Sequence, residues 1–325
     1  MSVTGPIVGG LDVGGTKILG RAVDAHQPRA SLAEARVETP RGESHVLDAI
    51  GQVVAELQSA PAVRDRGGVA AVGVGVPGLV DHRGVLRFAP NLPGVVEVAV
   101  GPELEHRLGL PVVVDNDANC AAWCESRLGA AVGVSDAVLV TLGTGIGAGI
   151  IAGGRLYEGA SGFAGEPGHM VVDPTGPPCP CGRRGCWERF ASGSGLGRLA
   201  RDAAAAGRAP AVVALAGGDP EAVRGEHVTK AALAGDLDAM GILRELAWWL
   251  ALGLANLVDL LDCELIVVGG GLAEAGESLL RPVREAFSDL VLAADHRPPV
   301  RIVAASFGAE AGAIGAALLA SERLA

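Results

Sequence analysis

Apolar residues rise and fall along this chain in short blocks that can be assigned to elements. "IVGGLDVGGTKILGRAVD" is apolar up to Asp12, turns through glycines, and is apolar again from Ile18 to Val23. That pattern predicts a β-hairpin with a glycine-rich tip. Val46, Ile50, Val53, Val54 and Leu57 follow at helical spacing. "VAAVGVGVPGLVD" predicts a buried strand ending at Pro77-Gly78. "PVVVDNDANCAAWCESRLG" predicts a strand, a polar break and a helix, with Gly129 suited to a left-handed C-cap. "DAVLVTLGTGIGAGIIAGGRL" repeats the strand, tip and strand of the first hairpin, which suggests an internally duplicated fold. A helical region runs from about Gly195 past Leu261, broken near "AGGDPEAVRG". "CELIVVGGGLAEAG" is a strand meeting three glycines and then a helix, and "VRIVAASFGAEAGAIGAALLASERL" is a last strand and a closing helix. Strands alternating with helices predict an α/β protein.

Composition narrows what such a fold does. At 325 residues, two lobes are expected rather than one core. Aromatics make up only 3%, so Ala, Val, Leu and Gly must build the interior; the 49 glycines cluster at turns, not in a repeat. A net charge of −11 with no basic stripe argues against nucleic acid. The apolar stretch 246–261 is short for a membrane span and carries Asn256 and Asp259, so it is expected to be a buried helix. No cationic leader precedes the first strand, and the expected compartment is the cytoplasm. Six cysteines there are expected to be thiols or metal ligands rather than disulfides.

Three groups of residues carry candidate chemistry. The tips "DVGGTK" and "TLGTGIG" each offer backbone N–H groups and threonine hydroxyls that suit phosphate oxygens, although each is also an ordinary glycine turn. Asp12 could orient a magnesium ion or its waters. The glycines 269–271 either admit a flat base or serve packing. In "VVVDNDAN", Asp115, Asn116, Asp117 and Asn119 crowd a strand end, where α/β sheets bind ligands. Helix capping is expected of Asp115 or Asn119, which leaves Asn116 and Asp117 for chemistry. The third group is "GEPGHMVVDPTGPPCPCGRRGCWE". Cys179, Cys181 and Cys186 with His169 form a tetrahedral set of the closed, structural zinc type. Cys120, Cys124 and Cys263 lie in apolar context and are expected to be core residues. Glu166 and Glu188 bracket the loop, either as surface carboxylates or as groups that a metal would hold in place.

These motifs, in this order and over essentially the whole chain, resemble the ROK family of bacterial glucokinases, related sugar kinases and repressors. "DVGGTK", "APNLPG", "DNDANCAAW", "TLGTGIGAGI", "GEPGH", "CPCGRRGCWE" and "VVGGG" carry the resemblance. It implies an actin-like ATPase fold with two ribonuclease-H-like lobes and a cleft between them. Expected boundaries are 1–117 with 308–325 for the small lobe and 118–307 for the large one. It also implies an ATP-dependent hexose kinase acting on the 6-hydroxyl of glucose. Alternatives are kinases for N-acetylglucosamine, N-acetylmannosamine, fructose or allose, and, as a separate class, a sugar-responsive repressor. By resemblance, Asp117 is the catalytic base. Gly78, Asn91, Asn116, Asp117, Glu166, His169 and Glu188 belong to the sugar site. Asp12, Gly14, Gly15, Thr16 and Lys17 form the first phosphate motif, and Thr141, Gly143, Thr144 and Gly145 the second. Gly269, Gly270 and Gly271 face the adenosine. ATP, Mg2+ and a structural Zn2+ held by His169, Cys179, Cys181 and Cys186 are the implied cofactors, and a homodimer or homotetramer the implied assembly. Many members have a tryptophan where Val95 stands, so Val95 is expected at the rim of the sugar site.

Overall fold

The computed structural model describes residues 4–324 apart from 90, 91, 93 and 96, so the candidate Asn91 lies outside the described residues. The first half contains β1 (Ile7–Val13), β2 (Lys17–Asp24), β3 (Gln27–Glu38), α1 (Glu43–Ser59), α2 (Pro61–Arg64), β4 (Val69–Val76), β5 (Leu79–Val80), β6 (Leu86–Phe88), α3 (Val100–Leu108), β7 (Val112–Asn116) and α4 (Asp117–Leu128). The second contains β8 (Ala137–Leu142), β9 (Ile146–Ala152), β10 (Arg155–Leu156), α5 (Glu188–Ala191), α6 (Gly193–Ala205), α7 (Pro210–Leu215), α8 (Gly225–Leu233), α9 (Leu237–Leu261), β11 (Leu265–Gly269), α10 (Glu277–Leu290), β12 (Arg301–Ala304) and α11 (Ala311–Arg323).

The two large sheets share one topology. Their strand orders are β3-β2-β1-β4-β7 and β10-β9-β8-β11-β12. In each, the first three strands form an antiparallel meander and two parallel strands extend it on the other side. This is the ribonuclease-H-like order, present twice: the duplication is the one the repeated hairpin suggested, and the whole is the actin-like ATPase fold that the family resemblance implied. Glycine tips end the hairpins because strand pairing continues up to the turn on both sides: Val13 faces Ile18 across the first tip.

The chain divides into two compact units: Met1–Ser135 with Gly149–Gly165 and Ser306–Ala325, and Asp136–Ala148 with Glu166–Ala305. This division differs from the expected boundary at residue 117. Helix α4 belongs with the first unit because it packs on α11 and β4. Buried Glu125 on α4 reinforces that: its Oε1 accepts the N–H groups of Ser306 and Phe307, each at 2.8 Å. Its Oε2 accepts the N–H of Ala130 at 2.7 Å. Gly129 does not adopt the expected left-handed cap; its φ is −111°. A Cβ there would lie 1.9 Å from Glu125 Oε2, so the glycine makes room for that carboxylate.

In the first unit, Leu11, Ile18, Ile50, Leu57 and Leu104 are fully enclosed between the sheet and α1 and α3. Val95 joins this core and is buried, so it does not stand at a rim. Helix α11 presses so closely on the sheet that a Cβ at Gly73 would meet the Ala316 carbonyl at 1.8 Å. In the second unit, α9 is the central helix, buried along Leu246, Leu250 and Leu254. Among the described residues it is the one helix long and apolar enough to cross a membrane, and 61% of its most apolar window is buried in the protein. That is the buried helix expected of this stretch.

Candidate functional site

In the first unit, strand register assembles the acidic group. β1 and β4 run parallel with Asp12 opposite Gly75, and β4 and β7 run parallel with Gly75 opposite Asp115 and Val76 opposite Asn116. The carboxyl ends of three strands therefore deliver Asp12, the Pro77-Gly78 turn and Asn116-Asp117 to one edge. Asn116 is the N-cap of α4: its Oδ1 accepts from Ala118 and Asn119 N–H at 2.8 and 3.1 Å. Capping thus falls to Asn116, not to Asp115 or Asn119. Its amide nitrogen donates to the Gly78 carbonyl at 3.1 Å, which leaves one N–H for a ligand. Asp115 is buried and bound to Asn119 Nδ2 at 2.9 Å and to Arg323 at 2.8 Å, so its role is structural.

Asp117 opens α4, with one oxygen held by the N–H of Ala118 at 2.9 Å. Burial raises its pKa. Asp12 is pushed up to about 7, first by burial and then by the charge of Asp117. A Cβ at residue 312 would approach the Asp12 carboxyl to 2.8 Å, so Gly312 on α11 gives that carboxyl its space. Two desolvated carboxylates that raise each other's cost of ionisation form a site that a hard cation relieves, and this donor set fits magnesium.

The sign of the pH effect follows. The folded protein binds a proton at Asp12 between the unfolded value near 3.8 and about 7. Stability from this group is therefore fullest below that window and falls as pH rises through it, by at most about 1.4 kcal/mol per pH unit. Without divalent cations, Asp12→Asn should gain stability over the wild type as pH rises from 4 to 7. Urea midpoints at several pH values check this; a difference that does not change with pH refutes it.

The first tip is a short turn in which Gly14 N–H donates to the Lys17 carbonyl at 2.9 Å, leaving Gly15 and Thr16 exposed. Thr39, at the end of β3, fastens it: its hydroxyl donates to the Gly14 carbonyl at 2.6 Å, and its N–H to Thr16 at 3.1 Å. Lys17 begins β2 opposite Glu38.

In the second unit, Gly143 and Thr144 are exposed at the second tip, and the start of α6 holds them. Gly193 N–H donates to the Gly143 carbonyl at 2.8 Å, and the Ser194 hydroxyl to that of Thr144. These residues line a cavity of about 840 Å³ together with Gly271. The open question about the three glycines divides by position. Gly270 serves packing, since a Cβ there would meet the Leu142 backbone at 2.6 Å, whereas Gly271 forms cavity wall. Thr141, Gly145 and Gly269 are not part of the lining; the Thr141 hydroxyl bonds within the hairpin to Gly147 at 3.3 Å.

The cysteine loop closes on itself as its spacing suggested. One ligand atom from each of His169, Cys179, Cys181 and Cys186 lies within 4.8 Å of all the others. Cys181 and Cys186 sulfurs are 3.6 Å apart, and Cys179 Sγ is 3.8 Å from His169 Nδ1. A tetrahedron with zinc–sulfur bonds of about 2.3 Å has edges of about 3.8 Å, so the set fits zinc. Burial opposes ionisation of these thiols, but Arg183 outweighs it at Cys181, which is pulled down to about 7. The loop also gathers the two glutamates. His169 Nδ1 is 3.7 Å from Glu188, and Nε2 is 4.0 Å from Glu166. Glu188 in turn reaches the second tip: a Cβ at Gly145 would be 2.5 Å from its Oε2.

Sequence patterning gave no role to Trp187, between Cys186 and Glu188. It is fully buried on α9, its ring against Gly253 and its Nε1 donating to the Trp249 carbonyl at 2.7 Å. A long-range anchor of this kind leaves no local signal beyond an aromatic in a polar loop. Thr39 and Gly312 were missed for the same reason.

The chain is similar to known proteins over nearly its whole length. A curated glucokinase of Streptomyces coelicolor is 40% identical over 316 residues, covering 96% of this chain and 97% of the relative. An N-acetylmannosamine kinase of Escherichia fergusonii is 34% identical over 316 residues, covering 95% and 97%. Among solved structures, a ROK family glucokinase from Streptomyces griseus, in complex with glucose and AMPPNP, aligns with a TM-score of 0.86 at 41% identity, covering 97% of this chain and 99% of that one. The sequence model of the ROK family matches residues 8–323, which takes in both glycine tips, the acidic edge and the cysteine loop; the chain belongs to the ROK family.

Proposed function

We propose that this protein is an ATP-dependent glucokinase that phosphorylates the 6-hydroxyl of glucose. The observation that carries the reading is Asp117, a desolvated carboxylate fixed at a strand–helix junction beside Asp12. Full-length similarity to glucokinases supports it. Burial raises the affinity of Asp117 for a proton, which suits a group that must take one from a sugar hydroxyl as the oxygen attacks. Asn116 keeps one amide N–H for the sugar, and Gly78 shapes the turn that holds that amide.

In the second unit, Glu166 and Glu188 flank the imidazole of His169 and provide acceptors for neighbouring sugar hydroxyls. Zinc on His169, Cys179, Cys181 and Cys186 would have all four positions filled, and its contribution is to hold the loop. His169 meets the thiols through Nδ1, so Nε2 remains for substrate. In the second unit the exposed N–H groups and hydroxyls of Gly143 and Thr144 bind phosphate oxygens of ATP, and the cavity beside Gly271 takes the adenosine; in the first unit Gly15 and Thr16 offer donors of the same kind. Asp12 would hold magnesium or its waters; bound with the nucleotide, that ion neutralises phosphate charge. The hydroxyl then displaces ADP from the γ-phosphoryl group in line. A cytoplasmic location suits both ATP as donor and three reduced thiols.

A panel of glucose, N-acetylmannosamine, N-acetylglucosamine, fructose and allose with ATP tests the reading by kcat/KM. Glucose is expected to lead. N-acetylmannosamine in first place would move the assignment to the other kinase class among the relatives, and no turnover of any sugar would refute a kinase.

A further inference from the structure

Arg189 follows Glu188 on the short helix α5, and the two side chains part around the second glycine tip. Consecutive helical residues point about 100° apart. Glu188 covers Gly145, whereas Arg189 lines the 840 Å³ cavity together with Gly143 and Thr144. The half-buried Arg189 side chain has its Nε buried with no hydrogen-bond partner among the described residues. A buried donor left without a partner is costly, so this N–H points to a ligand that completes it. The surroundings agree. Arg201, Arg224 and Lys230 line the same cavity against only Glu226 and Glu274, in a chain whose net charge is −11. The cavity thus carries the opposite sign to the molecule as a whole, and Arg189 lines it together with a tip built of backbone donors.

We propose that Arg189 binds the phosphate chain of the nucleotide at the second tip and so sets nucleotide affinity. This rests on the assignment of that cavity to ATP. A planar guanidinium presents two parallel N–H donors to a phosphate, which a lysine ammonium does not. Helix α5 therefore serves both substrates from adjacent positions: Glu188 faces the metal loop and the sugar contacts, and Arg189 faces the nucleotide.

The test is calorimetric titration of ADP, without sugar, into wild type, Arg189→Gln and Arg189→Lys, alongside the KM for glucose of each. The Kd for ADP is expected to rise about tenfold in the glutamine variant and about threefold in the lysine variant, with the KM for glucose unchanged. ADP binding within twofold of wild type in the glutamine variant overturns the proposal. Should that variant not fold, the lysine variant decides in the same way. The two readings fail separately. A wild type that binds ADP but phosphorylates no sugar removes the glucokinase assignment and leaves Arg189 in place. Equal ADP affinity across the series removes Arg189 and leaves the kinase.

Discussion

Replacing Asp117 with asparagine should lower kcat for glucose by about 10²–10⁴-fold, the range for loss of a positioned general base. The KM for glucose should stay within about threefold, because the substitution keeps the shape of the side chain and removes only its capacity to take a proton. The amide oxygen can still accept the Ala118 N–H that now fixes Asp117 at 2.9 Å, so α4 should start as before. Folded stability should not fall. The native carboxylate is desolvated and faces Asp12, and neutralising it also removes the repulsion that helps push Asp12 up to about 7. The wild-type rate should decline on the acid side as Asp117 becomes protonated, and this limb should vanish from any residual rate of the variant. Steady-state kinetics and a pH profile check both points. A variant retaining a tenth or more of the wild-type kcat would remove Asp117 from the role of base.

How much of this was legible in the sequence depended on the range of the interaction involved. Hairpin tips, helix periodicity and the gathering of His169, Cys179, Cys181 and Cys186 are local patterns, and each appears where its spacing placed it. The duplication was readable because the same strand, tip and strand occurs at residues 7–24 and 137–152. Capping was misread because Asp115, Asn116 and Asn119 are chemically equivalent candidates in one dimension. Register decides among them: Asp115 is drawn inward to Arg323, two hundred residues away in sequence, and Asn116 is left at the cap. No local pattern sets Glu125 apart from other charged residues on a helix, yet three backbone N–H groups make it a buried fastener. Val95 lies in a segment whose motif is recognisable, but only packing shows that its side chain faces the core. The missed residues share one property: each acts through a partner distant in sequence.

Trp187 should be the most destabilising single truncation in the second unit. Its ring lies so close to α9 that a Cβ on Gly253 would come within 2.0 Å of it, and its N–H is satisfied by the Trp249 carbonyl. Trp249 itself stacks on Phe190 with centroids 4.2 Å apart, so Trp187, Phe190 and α9 form one block that carries α5. Trp187→Ala is expected to cost about 3–5 kcal/mol, the range for truncating a buried large aromatic. Trp187→Phe keeps most of the volume and loses the hydrogen bond, at about 1–3 kcal/mol for the orphaned acceptor. Function should separate this anchor from the metal. With zinc on the His169, Cys179, Cys181 and Cys186 set as proposed, a chelator should free the loop that carries His169, while Trp187 still holds α5. Glucose KM should rise while ADP affinity persists. Trp187→Ala loosens Glu188 and Arg189 together, so sugar and nucleotide affinity should fall in parallel. Urea unfolding, glucose kinetics and ADP titration on the three preparations resolve these outcomes. A loss below 1 kcal/mol in Trp187→Ala, or a chelated protein with its wild-type glucose KM, would show that the loop is held in place by other contacts.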